Sequence, residues 1–431
     1  MPTRLRSWST GIGKAAGFLL ALNVFFVAIK LLGAFKSMGS GYGEVLMQDL
    51  AQDPLVGLFI GILITSVIQS SSTTTSITVG LVAAGVFGED PTTALRMAVP
   101  IIMGANIGTS VTNAIVSLGH IGNRTEFRRA YGAAIVHDTF NWLAVLVLLP
   151  LQIATNFLGR SSLWLAQALD DVGGLKFTSP IKYLVDPQTK AIKGWFNHSD
   201  DLVTFVVVAF MAFAALQAAT VLARRIHKDK RTTALSIALA GIAGTLAAFT
   251  LHFREHVFDH TTATFLCGMA LLFAALWSIV TIMRTVVLDR VQQFFNDYIF
   301  KTALRAFALG LVITALVQSS SVTTSLIVPL AGAGLLSLVQ VFPYTLGANI
   351  GTTVTALLAA LSVGEVAGVA AALSHLLFNI SGIALFYPLR RLPLWLARQL
   401  ARSALLSPAI PIFIIVGLHI GLPLLAIVVF R

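Results

Sequence analysis

The chain is 431 residues long, 56% hydrophobic and only 11% charged, with a mean hydropathy of +0.86. A soluble domain carries about 25% charged residues, so a water-soluble protein is excluded. The net charge of +11 comes from basic residues in short groups between apolar spans, a positive-inside pattern that argues against nucleic-acid binding. A single cysteine, Cys267, excludes an intramolecular disulfide and any cysteine-cluster metal site.

Residues 1–53 form an N-terminal tail and first span. Arg4, Arg6 and Lys14 precede an apolar run near 16–35 with no small-residue cleavage site, which reads as a retained span rather than a signal peptide. Lys30 near its end is expected to snorkel toward the interface, and the polar, Gly-rich stretch 36–53 is expected outside. Residues 54–158 make a first repeat. It opens with a re-entrant hairpin or broken helix at 54–87, loosened by Gly57, Gly61, Gly80 and Gly85 around Gln69-Ser-Ser-Ser72. A span at about 97–118 follows, with Gly104-Ala-Asn-Ile-Gly-Thr109. A loop at 120–130 with Arg124, Arg128 and Arg129 is expected in the cytoplasm, and a span at about 131–157 carries His137-Asp-Thr-Phe-Asn141.

The hydrophilic segment 159–201 is expected as an outer loop, with a glycosylation-type Asn197-His-Ser199. Connecting spans fill 202–288, near 202–223, 233–252 and 260–284. The basic run 224–231 is the strongest cytoplasmic marker, and 252–260 reads as a solvated loop rather than a metal site. Residues 289–391 form a second repeat: a hairpin at 304–336 around Gln318-Ser-Ser-Ser321, a span at 342–361 with Gly347-Ala-Asn-Ile-Gly-Thr352, and a span at 366–389 with His375-Leu-Leu-Phe-Asn379. An amphipathic segment, 392–402, and a last span, 408–430, complete a region at 392–431.

The repeat carries the functional argument. Eleven of nineteen positions match between 61–79 and 310–328. Three motifs recur in the same order, at offsets 318 − 69 = 249, 347 − 104 = 243 and 375 − 137 = 238. The loop count enters the two hairpins from opposite sides. The expected fold is therefore an all-α polytopic membrane bundle of two inverted repeats, the pattern of a secondary transporter. Hydrocarbon offers no partners to an amide and a run of hydroxyls. Ser70, Ser71, Ser72, Ser319, Ser320 and Ser321, at helix starts, can donate to an oxyanion, while neighbouring oxygens can hold sodium. Asn106, Asn349, Thr109 and Thr352 are candidate oxygen ligands or hinge supports, against a reading as close packing through glycines four apart. His137 and Asp138, with Asn141, His375 and Asn379, form an intramembrane relay or a structural network. Leu376 replaces the aspartate in the second copy, which points to a sodium or proton site in one repeat only. Nucleotide-binding, zinc and nucleophile-elbow motifs are absent, so the chain is not read as an enzyme.

Both Gln-Ser-Ser-Ser segments, Gly104–Asn113, the Arg124-Thr-Glu-Phe-Arg-Arg129 loop and Val136-His-Asp-Thr-Phe-Asn-Trp142 closely resemble the type II sodium–phosphate cotransporters over roughly 55–155 and 300–390. The resemblance implies symport of sodium and inorganic phosphate by alternating access, in a compact bacterial member of the inner membrane. It implies phosphate on the six serines, and sodium held or shaped by Gln69, Thr73, Thr74, Thr75, Gln318, Thr323, Thr324, Asn106 and Asn349, with no cofactor beyond that coupling ion. Expected partners are phosphate, sodium, membrane lipids and a second copy of the chain. A passive anion channel, a symporter for another oxyanion or a carboxylate, and a membrane scaffold are the competing readings.

Overall fold

The computed structural model describes residues 2–37, 52–172, 180–197, 260–283, 302–407 and 409–430. The spans expected near 202–223 and 233–252, the basic run 224–231 and His198-Ser199 lie outside them. Among the described residues every regular element is helical, and seven spans are long and apolar enough to cross a membrane.

The N-terminal helix α1 (Pro2–Leu31) ends in a 3-10 turn, Leu32–Ser37. Asp53 caps the next helix, accepting from Leu55 N at 2.7 Å, and Pro54 sits at its start. This helix, α2 (Pro54–Ile68), has 15 residues. At about 1.5 Å per residue it covers roughly 22 Å, short of the roughly 30 Å hydrocarbon core. It ends at Gln69, and α3 (Ser71–Ala83) starts immediately afterwards. Asp90 caps α4 (Pro91–Gly108). The Thr93 hydroxyl, then the Thr93 N–H, holds its carboxyl below the usual value.

After Thr109 comes α5 (Ser110–Ser117). Asn123 caps α6 (Arg124–Thr155), which stops at a left-handed Asn156. Next are α7 (Phe157–Val172), α8 (Pro180–Asn197) and α9 (His260–Met283). The second repeat follows the plan of the first: α10 (Ala303–Val317), α11 (Ser320–Gly332), α12 (Leu338–Val363) and α13 (Val366–Phe386). Last come α14 (Arg391–Ser403), α15 (Ala409–Val416), a π-helical turn at Gly417–Gly421, and α16 (Leu422–Phe430).

Glycines set the helix pairs. A Cβ on Gly104 would overlap the Leu58 carbonyl, and one on Gly61 the Ile101 carbonyl; Gly347 meets the Phe307 carbonyl and Gly310 that of Tyr344 in the same way. Gly61 therefore clamps α2 against α4 rather than loosening it. Gly108 faces Ile62 and Thr65, so α2 and α4 run parallel. The Thr65 hydroxyl donates to Thr74 Oγ1 at 2.8 Å, so α3 folds back along α2 as a hairpin.

The direction of the second hairpin follows from its contacts with α5. Thr324 pairs with Asn113 at 2.9 Å, Val328 packs with Val116, and Gly332 lies beside His120. Thus α11 runs with α5, and hence with α4, whereas its equivalent α3 runs against α4. The repeats are inverted. A pseudo-two-fold axis relates them: a Cβ on Gly368 would lie 2.9 Å from the Ala83 Cβ, and one on Gly332 would lie 3.3 Å from the Ala130 Cβ. Because 83 + 249 = 332 and 130 + 238 = 368, each contact is the image of the other. Gly382 meets Ala144, its own equivalent (144 + 238 = 382), so that contact lies on the axis.

Three further expectations are corrected. The described part of 159–201 forms two amphipathic helices in place of a loop. Leu158, Ser162 and Ala166 make a buried stripe on α7, and Val185, Thr189 and Phe196 one on α8. Lys30 pairs with Asp186 of α8 instead of snorkelling, beside a double amide hydrogen bond between Asn23 and Gln188 at 3.0 and 3.2 Å. Arg124, Arg128 and Arg129 belong to the first turns of α6, not to a loop. The amphipathic segment at 392–402 is present as α14, with Pro393, Leu394, Ala397 and Ala401 buried.

Candidate functional site

Each hairpin turns on a glutamine in left-handed conformation, φ 61° at Gln69 and φ 59° at Gln318. A residue with a side chain adopts that conformation at a cost of about 1–2 kcal/mol, and the surrounding contacts must hold it there. The Gln69 side-chain amide donates to Ser66 O, and that of Gln318 to Ala315 O at 2.5 Å. The serine after each glutamine caps the returning helix. Ser70 Oγ accepts from Thr73 N at 3.2 Å, and Ser319 Oγ from Val322 N at 3.4 Å. The α3 and α11 N-termini, with their unclaimed first-turn N–H groups and positive dipole ends, are thus delivered inside the protein.

The tips touch. Ser72 Oγ donates to Gln318 O at 3.2 Å across 246 residues. Ser71, Ser72, Ser320 and Ser321 are all buried. Among the described residues the hydroxyls of Ser71, Ser320 and Ser321 make no hydrogen bond. The threonines are occupied differently. Thr73 Oγ1 donates to Ser70 Oγ (2.8 Å) and Thr75 Oγ1 to Ser71 O (2.8 Å), while Thr74 Oγ1 bonds Ser70 O at 3.2 Å. Thr323 bonds Thr314 at 2.7 Å, and Thr324 bonds Ser320 O at 2.6 Å. Their oxygens remain available as acceptors. Thr109 and Thr352 donate to Ala105 O and Ala348 O at 3.1 and 2.9 Å, back along their own helices.

A second layer ties the repeats together through a crossed pair of Asn–His–Asn sets. His375 Nε2 meets Asn106 Oδ1 at 3.0 Å, and Asn106 Nδ2 donates to Asn379 Oδ1 at 3.1 Å. Its image has His137 Nε2 on Asn349 Oδ1, 2.5 Å, and Asn349 Nδ2 on Asn141 Oδ1, 3.0 Å. Each amide oxygen only accepts, so both imidazoles carry their proton on Nε2. All six residues are buried. The network therefore brings together the expected Asn106, Asn349, His137, Asn141, His375 and Asn379. Asp138 stands apart from it. Its Oδ1 accepts from Ser110 Oγ at 2.7 Å and faces His419 Nε2 at 3.2 Å, on the π-helical turn.

The repeats are not equal in detail. Thr112 Oγ1 donates to Gln69 Oε1 at 2.7 Å. Its equivalent, Thr355 (112 + 243 = 355), is buried without a hydrogen-bond partner for its hydroxyl. The Gln–Thr contact is closed in one repeat and open in the other.

Sequence reasoning missed Thr65, Thr314, Thr112, Asn113, Ser110 and His419. Thr65 and Thr314 occupy the same position of the duplicated segment, so the repeat itself held that signal. His419 is a lone polar residue in an apolar helix, and its partner is 281 residues away.

The Na+/Pi-cotransporter family model matches residues 18–162 and 264–386, more than half of the chain. The sodium-dependent phosphate transport protein 2A of Rattus norvegicus is 36% identical over 408 residues, covering 89% of this chain and 61% of that protein. Sodium-dependent phosphate transport protein 2B of Homo sapiens is 34% identical over 418 residues, covering 89% and 59%. The chain thus spans about three-fifths of the length of these relatives. No solved structure matches it. The duplicated Gln-Ser-Ser-Ser hairpins, the crossed Asn–His network between the repeats and this extent of similarity place one conclusion beyond the fold: the chain belongs to the Na+/Pi-cotransporter family.

Proposed function

We propose that the protein is a secondary transporter that takes up inorganic phosphate with sodium by alternating access, in the cell membrane. The observation that carries this reading is the meeting of two inverted hairpin tips, each a capped helix N-terminus, with the buried residues Ser71, Ser320 and Ser321 leaving their hydroxyls unclaimed. A tetrahedral oxyanion between the tips accepts from Ser71, Ser320 and Ser321 and from the first-turn N–H groups of α3 and α11. The other serines have structural work: Ser70 and Ser319 cap, and Ser72 joins the tips. Neither hairpin segment, 61–79 or 310–328, contains Arg or Lys. Helix ends alone carry only about half a unit charge each, so a multiply charged anion needs cations beside it. Sodium, held by the carbonyl, amide and hydroxyl oxygens of Gln69, Gln318 and the flanking threonines, supplies that charge. Binding of the anion then depends on sodium, which is coupling.

Alternating access is supported by the inversion of the repeats and by their inequality. A transporter built from inverted repeats exposes its site to one side by holding the two repeats in different states. The Gln69–Thr112 contact, made in one repeat and open at Gln318–Thr355, is a difference of that kind. Radiolabelled phosphate uptake into proteoliposomes tests the reading. Accumulation above equilibrium is expected with an inward sodium gradient and not with potassium. Equal, downhill uptake in both salts would indicate a channel instead.

A further inference from the structure

The far end of α11 carries a basic feature that the transport site does not use. A cavity of about 440 Å³ lies between the start of α6, the corner joining α11 to α12, and α14. Arg128 and Arg129 of α6 and Arg398 and Arg402 of α14 line it, with Ser337, Gly334 and the apolar Ala331, Leu336, Leu338 and Ala401. No carboxylate is among the lining residues. The acidic residue nearest in sequence, Glu126, is engaged by Asn123 Nδ2 at 2.9 Å and His120 Nδ1 at 3.4 Å. Among the described residues none of the four arginines forms an ion pair.

The packing forces these charges together. Gly132 brings α6 close to α14: a Cβ there would be 3.6 Å from the Ala401 Cβ. Arg398 and Arg402, four residues apart, share the face of α14 that meets this seam. Arg129 lies over Gly334, where a Cβ would come within 2.6 Å of its Nη1. Gly334 has φ +82°, so the corner is built from a residue that both turns the chain and leaves room for the guanidinium. Four like charges around one concavity repel unless an anion joins them, and guanidinium forks match phosphate oxygens bidentately.

We propose that this cavity binds a phosphoryl group, carried by an anionic lipid headgroup or as free phosphate, at a site separate from the hairpin tips. The separation is set by α11, whose 13 residues span about 20 Å from its tip to the cavity. The apolar wall beside the arginines suits the glycerol and upper acyl region of a lipid. The site's position against α6, α11 and α14 lets its occupant brace one end of the second hairpin.

The test is thermal unfolding of the full chain in detergent, in potassium without sodium, with three additions. These are phosphatidylglycerol in mixed micelles, phosphatidylcholine alone, and inorganic phosphate. The phosphate arm uses the Ser71→Ala/Ser320→Ala background, which removes hydroxyls of the central site. Phosphatidylglycerol or phosphate is expected to raise the unfolding temperature, and phosphatidylcholine is not. Arg398→Gln/Arg402→Gln weakens the apparent affinity about tenfold or more, and Arg398→Lys/Arg402→Lys keeps part of it. A rise with phosphatidylglycerol alone identifies a lipid site; an equal rise with phosphate identifies a free-anion site. No rise with either, or equal rises in the wild-type and Gln proteins, overturns the proposal. If the Gln pair unfolds without a cooperative transition, Arg128→Gln on the facing helix replaces it under the same criteria.

Discussion

At the residue scale, one pair of threonines gives the sharpest contrast. Thr112 and Thr355 are equivalent in the repeats, yet only Thr112 has a glutamine partner. A made hydrogen bond contributes about 1 kcal/mol, and an unsatisfied buried hydroxyl costs about 1–3 kcal/mol. Thr112→Val should therefore lower the unfolding temperature in detergent, because it removes a bond and leaves Gln69 Oε1 unpaired. Thr355→Val should leave it unchanged or raise it, and equal losses in both variants would contradict the asymmetry. The serines divide in the same spirit. Ser71→Ala and Ser320→Ala remove hydroxyls that support nothing else, so each should cut sodium-driven phosphate uptake about tenfold or more, one hydrogen bond to a charged group being worth roughly 1.5–3 kcal/mol. Ser70→Ala removes a helix cap and should cost about 1 kcal/mol of stability as well. Alanine at Ser71 and Ser320 with full uptake and an unshifted sodium requirement would remove both from the anion site.

At the element scale, the pairs α2–α4 and α10–α12 depend on glycines that let backbones touch. Gly104→Ala and Gly347→Ala drive a Cβ into the Leu58 and Phe307 carbonyls. Relief requires the helices to separate, which also moves the hairpin tip that α2 or α10 carries. Both variants should lose most uptake and much of the folded yield, whereas Gly122→Ala, with nothing within 4 Å of its Cβ, should behave as wild type. Fluorescence-detected gel filtration and uptake measure the two effects.

The same elements mark how far the sequence could be read. The hairpins were legible because the duplicated 61–79 and 310–328 segments put hydroxyls where only buried, broken helices can hold them. The crossed network was legible in its members but not in its pairing, since Asn106 reaches a histidine 269 residues away. Helices α7 and α8 were hidden because charges such as Arg160 and Asp186 average out a stripe visible only at helical spacing, Leu158–Ser162–Ala166. The left-handed turns were hidden because glutamine, unlike glycine, gives no signal for positive φ.

At the scale of the whole molecule, the pseudo-two-fold axis makes a claim about motion. The on-axis contact of Ala144 with Gly382 and the crossed Asn–His sets hold the halves together at the centre. The contacts off the axis, Ala130 with Gly332 and Ala83 with Gly368, join a hairpin of one repeat to a long helix of the other. If the halves rock against each other, these off-axis contacts must shift while the central ones persist. A Cβ on Gly332 lies 3.3 Å from that of Ala130, near the roughly 3.8 Å typical of disulfides. Ala130→Cys with Gly332→Cys, in a Cys267→Ser background, should therefore cross-link on mild oxidation. The oxidised protein should still bind phosphate in sodium from the side to which this state opens, but should not complete transport. Reduction should restore uptake to the level of the protein before oxidation. Uptake that continues at full rate in protein verified as cross-linked would mean that the hairpin does not move against α6, and alternating access by rocking of these repeats would fail.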